Sequence, residues 1–202
     1  MCPVCLKPLP LCICDRITAL AAKHEVLILQ HPQEQDRDLG TAQLVKLSLP
    51  KRAKVAVGLS WRSLAHAVGR EVDKSQWGVL HLGQLPRPLT PAEKTEPIVV
   101  LSKSGERLEA ESLYGIIVLD GSWSQAKALW WRNAWLLKLP RVMLHPKTPS
   151  LYGKMRKEPR PECLSTLEAV AETLTALGEP KETADTLKRL FRTLLQRARD
   201  AK

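Results

Sequence analysis

An apolar, β-branched run, Ile116, Ile117, Val118 and Leu119, stops abruptly at a carboxylate, Asp120. Gly121 and Ser122 follow as turn residues, and then a tryptophan-rich segment with helical spacing. This reads as strand, turn, helix, with Asp120 at the carboxyl end of the strand. Open α/β sheets bind their ligands at that edge. An acidic residue there can take part in chemistry rather than solubilise a surface.

The rest of the chain repeats the pattern. Short runs rich in Val, Ile and Leu at 26–30, 55–59, 79–82, 98–101, 116–119 and 142–144 suit strands buried on both faces. Helical spacing occupies 38–49, 60–68, 124–137, 165–177 and 183–198. Alternation of this kind predicts an α/β fold, a mostly parallel sheet flanked by helices. The 202 residues suffice for one substantial domain with a small appendage. No strand leads into Gly-x-Gly-x-x-Gly or a P-loop, so neither a dinucleotide-type Rossmann site nor a nucleoside triphosphate cradle is indicated. No apolar run approaches the roughly 20 residues needed to span a bilayer, and the N-terminus does not read as a signal peptide. The expectation is a cytoplasmic protein without a membrane partner. A net charge of +10 points instead to a polyanion, because Lys and Arg that neutralise phosphates release counterions.

Cys2, Cys5, Cys12 and Cys14 crowd the first 14 residues, with prolines between them. Four thiolates so close can surround one tetrahedral ion, and Zn²⁺ in an all-cysteine site is structural. Disulfides and an iron–sulfur cluster are the competing readings. The expected division is a zinc-binding module over 1–16 and a catalytic domain over 17–202.

Other polar groups gather near strand ends. His31 and Glu34 follow the first strand, with Arg37, Asp38 and Thr41 entering a helix. This is a site or, on the plainer reading, a helix cap beside a surface Glu34–Arg37 pair. Trp123, Trp131 and Trp135 fall on a four-residue ladder with Lys127, while Trp130 lies beside Ala126 and Ala134. The set is expected in the core, with base stacking by one exposed ring as the alternative. Lys154, Arg156, Lys157 and Arg160 form a basic loop suited to solvent or to phosphate. Ser165 and Glu168 have capping-box spacing. The last helix pairs an apolar side with a basic one.

The order of these motifs is specific. The cysteine pattern, His31-Pro-x-Glu34, Thr41, Asp120-Gly-Ser-Trp123-Ser-Gln-Ala126, Tyr152, Arg156-Lys-Glu-Pro159 and Leu164-Ser-Thr-Leu-Glu-Ala169 together resemble the DTW-domain proteins, and within them the bacterial tRNA-uridine aminocarboxypropyltransferases. The name-giving motif has threonine where this chain has Ser122, which keeps the hydroxyl and loses a methyl. A Tyr-Pro-type turn usual after the central strand is replaced by His81-Leu82-Gly83.

The resemblance implies S-adenosylmethionine as donor of a 3-amino-3-carboxypropyl group, N3 of a tRNA uridine as acceptor, and 5′-methylthioadenosine as by-product. It favours the variable-loop uridine at tRNA position 47. It implies a SPOUT-like fold of the knotted kind, and zinc on the four cysteines. Candidate catalytic residues are Asp120 as base or uracil-orienting group, Ser122 bonded to Asp120 or to the donor, and Trp123 as pocket wall. Capping of the next helix is the structural alternative for Asp120. Candidate substrate- or donor-binding residues are His31, Glu34, Arg37, Thr41, Tyr152, Arg156, Lys157, Glu158 and Thr166. Nothing in the sequence calls for an obligate protein partner. An enzyme of the same chemistry on ribosomal RNA, a SPOUT-like methyltransferase and a non-catalytic zinc-ribbon RNA binder are the rival readings.

Overall fold

The computed structural model describes residues 1–35, 37–80, 85–155 and 164–201. Among these residues, seven strands form one sheet: β1 (Glu25–Gln30), β2 (Ala53–Val57), β3 (Trp77–Leu80), β4 (Ile98–Leu101), β5 (Arg107–Leu108), β6 (Gly115–Asp120) and β7 (Arg141–Leu144). Their order is β2-β1-β6-β3-β7-β4-β5. The first five strands in that order pair in parallel. β4 runs antiparallel to β7 and turns back into β5, so a mixed edge closes a mostly parallel sheet. Gly115 permits the β3–β6 contact: a Cβ there would lie 2.6 Å from the Trp77 ring.

Alternation along the strands sorts their side chains onto two cores. Val26 and Ile28 of β1, with Ile116 and Val118 of β6, face one layer. That layer holds α1 (Ala42–Ser48), α4 (Thr166–Ala176) and α5 (Lys181–Asp200). Leu27, Leu29 and Ile117 face the other, with α2 (Leu64–Val68), α3 (Trp123–Arg132) and a 3-10 turn (Ala134–Lys138). The apolar side of α5 is buried along Leu187, Leu190, Phe191, Leu194, Leu195 and Ala198. Each fully buried large side chain of this kind is worth about 1.5–3 kcal/mol. Phe191 also meets the Tyr152 ring edge-on at 4.9 Å.

Three helices are shorter than their apolar spacing predicts. α2 starts at Leu64 rather than residue 60, because the Ser63 hydroxyl caps it by accepting from the His66 amide. α1 starts at Ala42 rather than near residue 38, because Arg37 and Gly40 close tight turns onto Glu34 and Arg37 carbonyls. α3 ends at Arg132, where buried Asn133 replaces the helical pattern with its own bonds. Its amide donates to the Leu129 and Leu59 carbonyls, and its oxygen accepts from the Trp61 amide at 2.8 Å.

The cysteine segment is docked rather than detached. Cys2, Cys5, Leu11 and Ile13 share a core with α4 and α5. Gln43 of α1 donates to the Val4 carbonyl at 3.0 Å, and Arg197 of α5 pairs with Asp15 at 2.9 Å. Among the described residues, no helix is long and apolar enough to cross a membrane.

Candidate functional site

β1 and β6 are neighbours, yet the chain leaves them in opposite directions. From β1 it passes through α1 on one face to β2; from β6 it passes through α3 on the other face to β7. The two connections part above the carboxyl ends of β1 and β6, leaving the crevice where open sheets place ligands. Gln30 and Asp120 end the two strands in direct register.

Strand alternation points both side chains at the α1–α4 layer. There Asp120, buried to 9% exposure, is gripped twice: Gln30 Nε2 donates to Oδ2 at 2.7 Å, and the Thr166 hydroxyl at the start of α4 donates to Oδ1. Both partners are neutral. A carboxylate offers about four lone-pair positions, and the described residues occupy two of them. Gln30 was not anticipated, although its signal matches that of Asp120: a polar residue ending an apolar run.

The loop after β1 lies beside this pair. The His31 amide donates to the Asp120 carbonyl at 2.9 Å, and the His31 ring accepts from the Gln33 amide. Glu34 is buried, with the exposed Arg37 side chain 3.7 Å away. Gln125 of α3 reaches across to Gln33 at 3.0 Å and ties this loop to the one after β6.

Ser122, not Asp120, caps α3. Its hydroxyl accepts from the Gln125 amide while the Gln125 side chain accepts from the Ser122 amide at 2.6 Å, a complete capping box. Of the two partners expected for Ser122, Asp120 or the donor, Asp120 is not bonded to it among the described residues; its bonds lie within the helix start. Gly121 is required by the same turn, since a Cβ would lie 2.8 Å from Gln125 Cβ. Trp123 opens the helix at 43% exposure, and Trp131 two turns on is 64% exposed. The core expected for the tryptophan set thus holds for Trp130. Trp135 is half-buried, with its indole N–H on the Trp61 carbonyl. Leu129 and Trp130 decide which side of α3 meets the sheet, and the Trp123–Lys127–Trp131 side faces solvent.

Thr41 and Tyr152 lie in the packing behind the site. The Thr41 hydroxyl accepts from the Leu167 amide and joins α1 to α4. Tyr152 is 2% exposed and donates to the Leu39 carbonyl at 2.9 Å, holding the loop after β1 from below. Ser165 and Glu168 form the predicted capping box, and Glu168 also accepts from Ser150 and the Leu151 amide. Arg156, Lys157 and Glu158 lie outside the described residues, as does Arg160 of the same basic loop.

The four N-terminal cysteine sulfurs all lie within 4.8 Å of one another, Cys2 and Cys14 at 3.6 Å and Cys5 and Cys12 at 3.8 Å. Tetrahedral Zn²⁺ with Zn–S near 2.3 Å requires sulfurs about 3.8 Å apart, so the donor set fits that ion. The Cys5 and Val4 amides stabilise the Cys2 thiolate and lower its pKa to about 6. Burial pushes the Cys14 thiol up. These cysteines carry no disulfide.

The same segment supplies a residue that sequence reasoning missed. Lys7 is 2% exposed, and its ammonium donates to the Arg37 carbonyl at 2.7 Å. Burial lowers its pKa to about 8, opposed by the charges of Cys5, Asp38 and Asp120.

The DTW domain family model matches residues 1–199. The chain is similar to "tRNA-uridine aminocarboxypropyltransferase 2" of Drosophila melanogaster, 31% identical over 198 residues, 96% of this chain and 72% of the relative. The mouse protein of that name is 30% identical over 197 residues, 96% of this chain but 61% of the relative. "tRNA-uridine aminocarboxypropyltransferase A" of Arabidopsis thaliana is 28% identical over 203 residues, covering 88% and 72% of the two chains. No solved structure matches.

Proposed function

The chain belongs to the DTW-domain family, and on that premise we propose that it is a tRNA-uridine aminocarboxypropyltransferase. The donor is S-adenosylmethionine, and the acceptor is N3 of a tRNA uridine, with the variable-loop position favoured. The observation that carries the reading is a buried carboxylate at a sheet switch point, held among the described residues by two neutral donors.

Uridine N3 carries a proton and is a poor nucleophile until it leaves. Asp120, oriented by Gln30 and Thr166, accepts that proton. The N3–carbon bond then forms at the methylene of the aminocarboxypropyl group. The carbon–sulfur bond breaks, and its electron pair stays on sulfur in 5′-methylthioadenosine. The sulfonium supplies the leaving group; the protein's part is to present that methylene, not the methyl, to N3. His31, Glu34 and Arg37 line the entrance from β1, and Trp123 from β6. Ser122 acts through the start of α3, which it fixes. Thr41 and Tyr152 hold the binding loop, with Arg156, Lys157 and Glu158 assigned to substrate contact.

The solvent-facing Trp123, Lys127 and Trp131 on α3, with the net charge of +10, support an RNA partner. We assign structural zinc to Cys2, Cys5, Cys12 and Cys14, as a clip over 1–16 on a catalytic domain over 17–202. Thiolate ligands suit a reducing, cytoplasmic setting. We also propose a knotted SPOUT-type relationship for the sheet, which its parallel core and the missing Gly-x-Gly-x-x-Gly support.

The test is to incubate the purified protein with unmodified tRNA and S-adenosylmethionine and analyse the nucleosides by mass spectrometry. An added aminocarboxypropyl group on uridine is expected. An added methyl, or no change with zinc-loaded protein, overturns the reading.

A further inference from the structure

We propose that Lys7, carried by the cysteine segment, is the anchor for the α-carboxylate at the amino-acid end of the donor. The inference rests on the aminocarboxypropyl-transfer reading above.

A lysine ammonium has three N–H donors and ordinarily keeps them in water. Lys7 is 2% exposed, and among the described residues it makes one hydrogen bond, to the Arg37 carbonyl. It forms no ion pair there. Cys5, Asp38 and Asp120 act on it through space, without a direct contact. A buried cation with two open donors is costly unless an anion completes it. The ammonium reaches the loop that follows β1 at the Arg37 carbonyl.

The location fits one kind of anion. Asp120, the proposed base, lies within electrostatic reach of Lys7. In the donor, the carbon attacked by N3 and the carboxylate carbon are three bonds apart. An anchor for that carboxylate must therefore sit close to the base. A side chain so thoroughly covered suits a small ligand that enters the crevice; RNA phosphates remain at the surface. Holding the carboxylate also helps to set which sulfonium carbon meets N3, because it fixes the chain between them.

The test compares ligands that differ in this group. Binding of S-adenosylmethionine, decarboxylated S-adenosylmethionine and 5′-methylthioadenosine is measured by calorimetry, without tRNA, on zinc-loaded wild type, Lys7→Met and Lys7→Arg. Lys7→Met should weaken S-adenosylmethionine about 10- to 100-fold, as expected for loss of a charged hydrogen bond. The two ligands lacking the carboxylate should change by less than about threefold, and Lys7→Arg should recover part of the loss. Equal loss for all three ligands, or loss of zinc, makes Lys7 a structural residue and overturns the proposal. Unchanged donor binding with weaker tRNA binding makes it a phosphate contact, and equally overturns it. Should the wild type bind no S-adenosylmethionine, the functional reading itself has failed and this inference with it.

Discussion

Replacing Asp120 by asparagine separates chemistry from architecture at this site. The carboxylate takes one bond from Gln30 Nε2 at 2.7 Å and one from the Thr166 hydroxyl. Asparagine keeps an oxygen for Thr166 but turns an N–H₂ toward Gln30, donor against donor. A half-turn of the Gln30 amide presents its oxygen instead and restores the pair. The remaining penalty is that of exchanging charged for neutral hydrogen bonds, about 1 kcal/mol. For a chain of this size that moves the thermal midpoint by about 2–4 °C. Loss of a general base should lower the rate about 10²- to 10⁴-fold, or roughly 3–5 kcal/mol of barrier. Single-turnover transfer to tRNA, read by nucleoside mass spectrometry, measures it. The residual rate should rise about tenfold per pH unit until N3 itself ionises, since solvent must then take the proton. Alanine behaves differently: it orphans the Gln30 amide and the Thr166 hydroxyl, at about 1–3 kcal/mol each. An Asp120→Asn enzyme within threefold of the wild-type rate would refute the base assignment. A Tm loss as large as that of Asp120→Ala would make the carboxylate a structural strut.

Three further outcomes are expected. Elemental analysis should find about one zinc per chain, and Cys12→Ser should lower both zinc content and Tm, because metal binding here is folding energy for a segment whose Leu11 and Ile13 enter the main core. Trp131→Ala should leave Tm nearly unchanged, since the ring is 64% exposed, while tRNA affinity falls by about 1–3 kcal/mol in filter binding if the ring stacks on a base; unchanged affinity removes Trp131 from the RNA surface. Glu93 has its pKa lowered from the usual 4.5 to about 2 by the Arg87 guanidinium, so it stabilises the fold above that usual value and loses this contribution as pH falls from about 4.5 to about 2. Arg87→Met should flatten the acid limb of urea unfolding in that window, and an unchanged limb would show the pair to be idle.

The parts of this fold legible in the sequence are those written in contiguous residues. Ile116 to Leu119 announce β6 because four apolar residues in a row suit a strand buried on both faces, and the break at Asp120 marks where that burial ends. Gln30 ends β1 by the same rule and escaped notice because an amide does not suggest chemistry by itself. β5 was missed because Arg107–Leu108 is two residues long with one apolar side chain, and only pairing with β4 makes it a strand. Ser122 and Gln125 carried a readable capping box, yet the neighbouring carboxylate drew the alternative cap assignment. The exposed faces of Trp123 and Trp131 depend on which side of α3 the sheet covers, and that is settled by the burial of Leu129 and Trp130, with Trp130 packed in the Leu27–Ile117 layer. Lys7 was beyond reach for the same reason: its burial arises when residues far apart in the chain meet.

The partners of Asp120 explain why a buried carboxylate can stay chemically available. Arginine beside it would hold the proton-free form so firmly that it would accept a proton from uridine poorly. Gln30 and Thr166 supply orientation with neutral dipoles, and among the described residues they leave two lone-pair directions unused. Lys7 feels the Asp120 charge through space and spends its one observed bond on the Arg37 carbonyl. That bond joins the cysteine segment to the loop carrying His31 and Glu34, while Tyr152 holds the same loop at Leu39. The loop above β1 is thus fixed at Arg37 from the cysteine segment and at Leu39 from the core. Gln125 fixes its Gln33 from the β6 side. A site that must select one of three carbons on a sulfonium requires such rigidity, because the reaction's outcome is decided by which carbon is held in line with N3.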